Sequence, residues 1–167
     1  MEGFQFGSWN ALAPDVQLTR AADYGVRVMI HLASLPVGSR PNRAELAAAA
    51  ECPEQFLSKV LQNLTRAGLV TSHRGNTGGF ELPRNRRAAS VLEVVEAVEG
   101  PVRLNLCLAS ERACERQSWC PAHAVWAEAQ GAMAEVLRKA TIADLAQQIS
   151  KETASSLPAT GTPPPRA

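Results

Sequence analysis

From Ala21 onward, apolar residues return every three or four positions, and Ala21, Tyr24, Val28, Leu32 and Leu35 line one helical face. Thr19 stands where an N-cap belongs, and Pro36-Val37-Gly38 breaks the pattern. Asn42 caps a short Ala-rich helix from Arg43 to about Ala50. Glu51-Cys52-Pro53 ends it, because proline denies the preceding residue helical geometry. A third helix is predicted from Glu54 to about Ala67. It turns Phe56, Leu57, Val60, Leu61 and Leu64 inward and Gln55, Ser58, Lys59, Gln62 and Arg66 outward, with Gly68 as its C′ residue.

The pattern then shortens to strand-like pieces. Leu69-Val70-Thr71-Ser72-His73 and Phe80-Glu81-Leu82 flank the glycine-rich turn Arg74-Gly75-Asn76-Thr77-Gly78-Gly79. Glycines there permit positive φ and let backbone amides approach a phosphate, while Arg74 supplies charge. Two helices joined by a tight turn, followed at once by a hairpin, form a helix-turn-helix with a wing. Ser90 and Glu93 make a capping box for a helix from Val91 to Glu99, stopped by Gly100-Pro101. From Pro121 to about Lys139, a long helix carries the apolar stripe Val125, Trp126, Ala129, Met133, Val136 and Leu137. Thr141-Ile-Ala-Asp144 caps a short last helix to about Ile149.

The expected fold is therefore mostly α with a small β-wing. Its predicted parts are a flexible extension (1–17), a winged helix-turn-helix domain (18–100), a cysteine-rich loop (101–123), a dimerisation helix with a short terminal helix (121–149), and a disordered tail (150–167). The long helix has two possible outlets for its stripe: the first domain, or a matching helix of a second copy. The second is favoured, since the C-terminal half is too thin to bury Trp126, Met133 and Leu137. A two-fold homodimer would also present two recognition helices to successive major-groove faces of a palindromic site.

Composition adds little to this, but charge adds something. With 167 residues and 46% hydrophobic content, the chain can build one domain with its own core. No apolar run approaches the roughly 18 residues of a membrane span, and residues 1–17 lack the basic start of a secretory signal. Both point to a soluble protein of the cytoplasm. Residues 18–87 hold ten Lys/Arg against five Asp/Glu, so the near-neutral whole conceals a basic front half suited to a polyanion.

Three of the four cysteines fall in one stretch, Cys107-Leu-Ala-Ser-Glu-Arg-Ala-Cys114-Glu-Arg-Gln-Ser-Trp-Cys120-Pro-Ala-His123. In a reducing compartment such clusters read as metal ligands or redox groups before disulfides. Tight Cys-x-x-Cys pairs of zinc ribbons are absent, and the wide gaps suit a loop wrapped around something larger than one ion. Cys120 precedes Pro121, so its sulfur stands at the positive end of a helix dipole. His123 follows three residues later on the same face. An iron–sulfur centre and a structural zinc held by Cys107, Cys114, Cys120 and His123 both remain open on spacing alone. Cys52, in the helix-turn-helix turn, reads as a small packed residue, and His31 and His73 as surface or capping histidines.

Between Leu18 and Leu145 the chain resembles the winged-helix repressors typified by the iron–sulfur cluster regulator IscR and the nitric-oxide sensor NsrR. The resemblance rests on Leu18-Thr-Arg-Ala-Ala-Asp23-Tyr24, Phe56-Leu-x-Lys-Val-Leu-x-x-Leu-x-x-Ala-Gly68-Leu-Val, Arg74-Gly-x-x-Gly-Gly-Phe-x-Leu82 and Val94-Val-Glu-Ala-Val-Glu-Gly100, with the three cysteines and Thr141-Ile-Ala-Asp-Leu145. It implies a cytoplasmic homodimeric DNA-binding regulator without enzymatic turnover, whose cysteine loop holds an iron–sulfur cluster. Carried over, Cys107, Cys114 and Cys120 are ligands. The fourth is His123, which would favour 2Fe–2S, or alternatively Asp23, which would favour 4Fe–4S. The first gap of six residues departs from the family's common five.

For double-stranded DNA, the same reading assigns Gln55, Ser58, Lys59 and Gln62 to the recognition face, Arg74, Asn76 and Gly78 to the wing, and Thr19 and Arg20 to phosphate. Val125, Trp126, Met133, Val136 and Leu137 are assigned to the dimer. Rival readings are a zinc-stabilised or thiol-switch winged-helix regulator, and a redox carrier.

Overall fold

The computed structural model describes residues 18–75, 77–110 and 113–156, without the side chains of 150–156. The predicted extension 1–17, the tail from 157 and the wing residue Asn76 lie outside the described residues. Those described form six α-helices and one two-stranded antiparallel sheet, as the periodicities predict.

Helix α1 (Arg20–Ser34) is the element against which α3, α4 and α6 pack. Its buried residues are Ala22, Gly25, Val28, Met29, Leu32 and Ala33. That arc is wider than the predicted stripe and centred about one position away, leaving Ala21 and Tyr24 half-buried at its margin. A helix covered on several sides buries more than one narrow stripe. Helix α2 (Arg43–Ala49) begins in a reciprocal capping box between Asn42 and Glu45.

The recognition helix α3 (Glu54–Arg66) buries Leu57, Val60, Leu61 and Leu64. Phe56, predicted inward, is 45% exposed and makes an edge-to-face contact with Tyr24, with ring centroids 5.6 Å apart. The helix stops in a Schellman turn. Gly68, at φ +68°, donates to Thr65 C=O and Leu69 donates to Leu64 C=O, both at 3.0 Å. Leu69 and Val70 thus belong to this turn and the core. The strands are shorter than predicted: β1 (Thr71–His73) pairs with β2 (Gly79–Glu81), Ser72 opposite Phe80.

Helix α4 (Val91–Glu99) starts at the Ser90/Glu93 capping box and buries Val91, Leu92, Val94 and Val95. Gly100, at φ +87°, ends it in a conformation that strains any residue with a Cβ. The chain crosses the cysteine loop, with a 3-10 turn at Leu106–Leu108, to reach α5 (Pro121–Lys139). Helix α6 (Ile142–Ser156) runs seven residues past the predicted end at Ile149, into the segment expected to be disordered. It is not an appendage of the long helix either. Ile142 and Ala146 are buried in the main core, and α6 lies along α1.

A backbone splice secures that return. Val91 N–H donates to Ala140 C=O, Ile142 N–H to Ala89 C=O and Ala143 N–H to Arg87 C=O, at 2.9, 2.9 and 3.0 Å, around an antiparallel bridge between Ser90 and Thr141. Arg87 is half-buried and turned inward. Its guanidinium donates to Ala33 and Leu35 carbonyls at 2.7 and 2.5 Å, closing the C-terminus of α1. No described helix is long and apolar enough to cross a membrane.

Candidate nucleic-acid interface and cysteine loop

On α3, Gln55, Lys59 and Gln62 project into solvent, while Ser58 is half-buried and its hydroxyl donates to Glu54 C=O at 3.2 Å. Between α3 and the sheet runs a groove of about 510 Å³ that brings Ser58, Gln62, Arg66, Ser72, Arg74 and Phe80 together. A narrower crevice of about 260 Å³ on the other flank collects Gln55, Lys59, Asn63 and Val98. The assigned base-reading residues therefore line both sides of one exposed helix, with Arg74 facing one of them. Thr65 also lines the groove, and its buried Oγ1 has no partner. Nothing in its sequence context singled it out.

The wing is held by backbone geometry. A Cβ on Gly78 would lie 2.4 Å from His73 O, and one on Gly79 2.3 Å from Arg40 O, so both positions admit only glycine. Phe80 N–H donates to Pro41 C=O at 3.0 Å, and Arg40 Nε donates to Glu81 at 3.0 Å, tying the hairpin to the start of α2. His73 is no free surface histidine. Its side chain is half-buried, and its buried Nε2 lies 2.9 Å from Glu81 Oε2, within charge-contact distance but not aligned as a hydrogen bond.

At the start of α1, Arg20 is exposed. The Thr19 side chain accepts from Ala21 N–H at 3.2 Å, while its own N–H donates to Glu99 Oε1 at 2.7 Å. Asp23 pairs with Arg27 at 2.9 Å, and Arg27 also reaches Glu51 at 3.6 Å. Cys52 is buried as expected. Burial pushes its thiol up, against a smaller opposing effect of a backbone hydrogen bond from Leu57.

The cysteine loop is built differently. Leu104 N–H donates to Gln130 Oε1 at 3.0 Å, pinning the loop to α5, and Arg103 donates to the carbonyls of Leu108 and Ala109. A second pin is formed of turns: Gln117 N–H to Cys114 C=O, Cys120 N–H to Arg116 C=O and His123 N–H to Cys120 C=O, at 3.2, 2.8 and 3.1 Å. Cys120 is the N-cap of α5 with Pro121 behind it, and no side chain caps that end. Trp119 is exposed, with the Arg116 guanidinium 5.7 Å from its ring.

Cys107, Cys114 and Cys120 are free thiols, each half-buried. His123 Nε2 and Gln117 Oε1 are buried without partners beside a cleft of about 590 Å³ between the loop, α4 and α5. Soft thiolate donors and an orphaned imidazole nitrogen suit a metal centre in kind. They are not drawn together: among the described residues, no three His, Cys, Asp or Glu side chains converge as a metal site. Along α5, the predicted dimer residues Val125 and Val136 are 61% and 68% exposed, Trp126 is exposed, and Met133 and Leu137 are half-buried.

Residues 18–148 match the Rrf2 family, described as an iron-dependent transcriptional regulator. The chain is 36% identical over 137 residues to Rv1287 of Mycobacterium tuberculosis, a protein named as an HTH-type transcriptional regulator, covering 78% of this chain and 81% of that one. It is 37% identical over 132 residues to protein aau3 of Rhizobium meliloti, covering 78% and 84%. Among solved structures, CymR of B. subtilis, titled the global cysteine regulator, superposes with a TM-score of 0.63 at 27% identity, covering 79% of this chain and 97% of that one. IscR of T. potens superposes with a TM-score of 0.60 at 26% identity, covering 87% and 93%.

Proposed function

The chain belongs to the Rrf2 family of winged-helix transcriptional regulators, and from that premise we propose that it is a homodimeric, cytoplasmic repressor whose operator binding is set by an iron–sulfur cluster. It acts by binding rather than by turnover, as its relatives named transcriptional regulators do. The palindromic DNA site is read by Gln55, Ser58, Lys59 and Gln62 of α3, flanked by the wing with Arg74, Gly78 and Asn76. Thr19 and Arg20 lie toward phosphate. Each copy contributes one such surface, and the apolar edge of α5 formed by Val125, Trp126, Val136, Met133 and Leu137 joins the two. The unburied state of α5 supports this pairing.

Cys107, Cys114, Cys120 and His123 would hold the cluster, and His123 as fourth ligand favours 2Fe–2S over 4Fe–4S. The observation that carries this choice is the orphaned, buried Nε2 of His123, set against Asp23, which already has Arg27 as partner. When bound, the cluster supplies a centre that responds to redox change, nitric oxide or iron–sulfur supply. The loop must close to gather its donors, since they do not converge as they stand.

A thiol-switch regulator without a cluster is the second reading. It is favoured by that same lack of convergence and by the likeness to a structure titled a cysteine regulator. Anaerobic purification decides between them. Visible absorption with stoichiometric iron and sulfide is expected. A colourless protein, or one carrying zinc, overturns the cluster while leaving footprinting on the protein's own upstream DNA to test the regulator. An unchanged spectrum and cluster lifetime in His123→Ala removes His123 from the ligand set.

A further inference from the structure

The last turn of α4 lies where three functional elements meet. Val98 C=O accepts from Asn63 Nδ2 of the recognition helix at 3.2 Å. One residue on, Glu99 Oε1 accepts from the backbone N–H of Thr19 at 2.7 Å and from the Thr19 hydroxyl as well. The helices have little slack here, since a Cβ on Gly25 of α1 would lie 3.0 Å from Val98 Cγ2. Immediately after Glu99, the chain turns at Gly100 and enters the cysteine loop.

Thr19 already caps α1 with its own hydroxyl oxygen. Glu99 adds a carboxylate, from 80 residues away, at the positive end of that helix. The contact is exposed, so it holds weakly and a competing anion can displace it. The amide and hydroxyl it occupies are the groups assigned to operator phosphate, and they cannot serve a carboxylate and a phosphate together.

We propose that Glu99 is a built-in competitor for DNA phosphate at the start of α1, and that the last turn of α4 releases or restores this competition with the state of the cysteine loop. This rests on the DNA-binding reading above. The carboxylate occupies the phosphate position in one state of the loop. In the other, α4's end withdraws and the Thr19 amide and hydroxyl become free. The Asn63–Val98 bond places the recognition helix on the same hinge, so phosphate contact and helix position shift together.

Phosphate contacts carry no sequence information, so a mixed-sequence duplex is a sufficient probe. Its binding is measured by fluorescence anisotropy over a salt series, with iron-loaded and metal-stripped full-length protein, alongside thermal melts. Glu99→Gln is expected to bind several-fold tighter at each salt concentration, because a neutral amide competes less with phosphate for the Thr19 N–H and hydroxyl. Glu96→Gln carries the same charge change one turn earlier and is expected to gain much less. Thr19→Val should abolish the gain of Glu99→Gln in the double variant, and the affinity difference between loaded and stripped protein should shrink in Glu99→Gln.

Equal gains in Glu99→Gln and Glu96→Gln would reduce the effect to net charge and overturn the proposal. Weaker binding in Glu99→Gln that tracks a lower melting temperature would make the contact a helix cap only, as would a Glu99→Asp variant that restores the melt without restoring wild-type affinity. A wild-type protein with no salt-sensitive binding to the duplex would instead sink the DNA-binding reading on which the competition depends.

Discussion

Helices α4 and α5 are neighbours in sequence and close to opposites in setting. The nine residues of α4 bury four side chains, whereas the nineteen of α5 bury none. Helix α4 is enclosed by α1, α3 and α5, and its Val91, Val94 and Val95 join the hydrophobic core that also holds Met29, Leu46, Leu64 and Ile142. Helix α5 rests on α4 and the cysteine loop on one side, leaving Val125, Trp126 and Val136 to solvent. The core of the winged domain is thus filled from within the chain, while on the proposed reading the cysteine-loop half would take its order from outside, from a second copy and a group held by the thiols. This is the division a switch requires: a rigid reader joined to a part whose free energy depends on a partner.

The comparison breaks first in stability. Leu64→Ala should cost about 2–5 kcal/mol in urea unfolding, because Leu64 is fully buried and its removal leaves a cavity. Val136→Ala, measured on dilute protein, should cost less than about 0.5 kcal/mol. Similar losses would mean that α5 is part of the folding core. Next, Trp126→Asp combined with Val136→Asp should convert a dimer into a monomer in sedimentation velocity. Operator affinity should fall by about 100-fold or more through lost avidity, with far-ultraviolet dichroism retained. A double variant that remains dimeric would place the interface elsewhere.

Lys59→Ala, on the exposed face of α3, should weaken operator binding by about 1–3 kcal/mol while leaving any cluster spectrum unchanged. Parallel loss of both would mean the reader and sensor are one cooperative unit. The smallest effect lies in the thiols. Iodoacetamide should label Cys107, Cys114 and Cys120 in the metal-stripped native protein and spare Cys52 until unfolding. Burial raises the Cys52 thiol above its ordinary 9.0. Its contribution to stability is therefore full below that pH and lost as pH rises through the raised folded value, and Cys52→Ala should flatten this alkaline decline.

The winged domain was legible because its signals are local. Caps at Thr19, Asn42 and Ser90, the C′ glycine Gly68 and the glycine-rich wing each act within a few residues, and all stand where the pattern put them. What escaped was set by distant contacts. Phe56 reads as core by spacing yet lies at the edge of α3 against Tyr24. Arg87 counts toward the basic front half, but its guanidinium serves the open carbonyls of α1. Helix α6 was cut short because its polar composition after Ile149 conceals its continuation. At the cysteine loop, donor chemistry was legible from residue type, whereas spacing along the chain does not fix where the side chains point, and among the described residues the donors do not converge.

The splice at Ser90 and Thr141 gives the sensing half an architecture of its own. Residues 100–140 leave from one end of α4 and return, through the Val91–Ala140 bond, to the other. They form a cassette anchored at both ends on a single helix, with α6 locked onto α1 beyond it. A peptide bond cut within the cassette, at exposed Arg116 for example, would leave two fragments still bound through the α1–α6 packing. Insertions or exchanges in the same stretch would likewise leave the core formed by α1, α3, α4 and α6 in place.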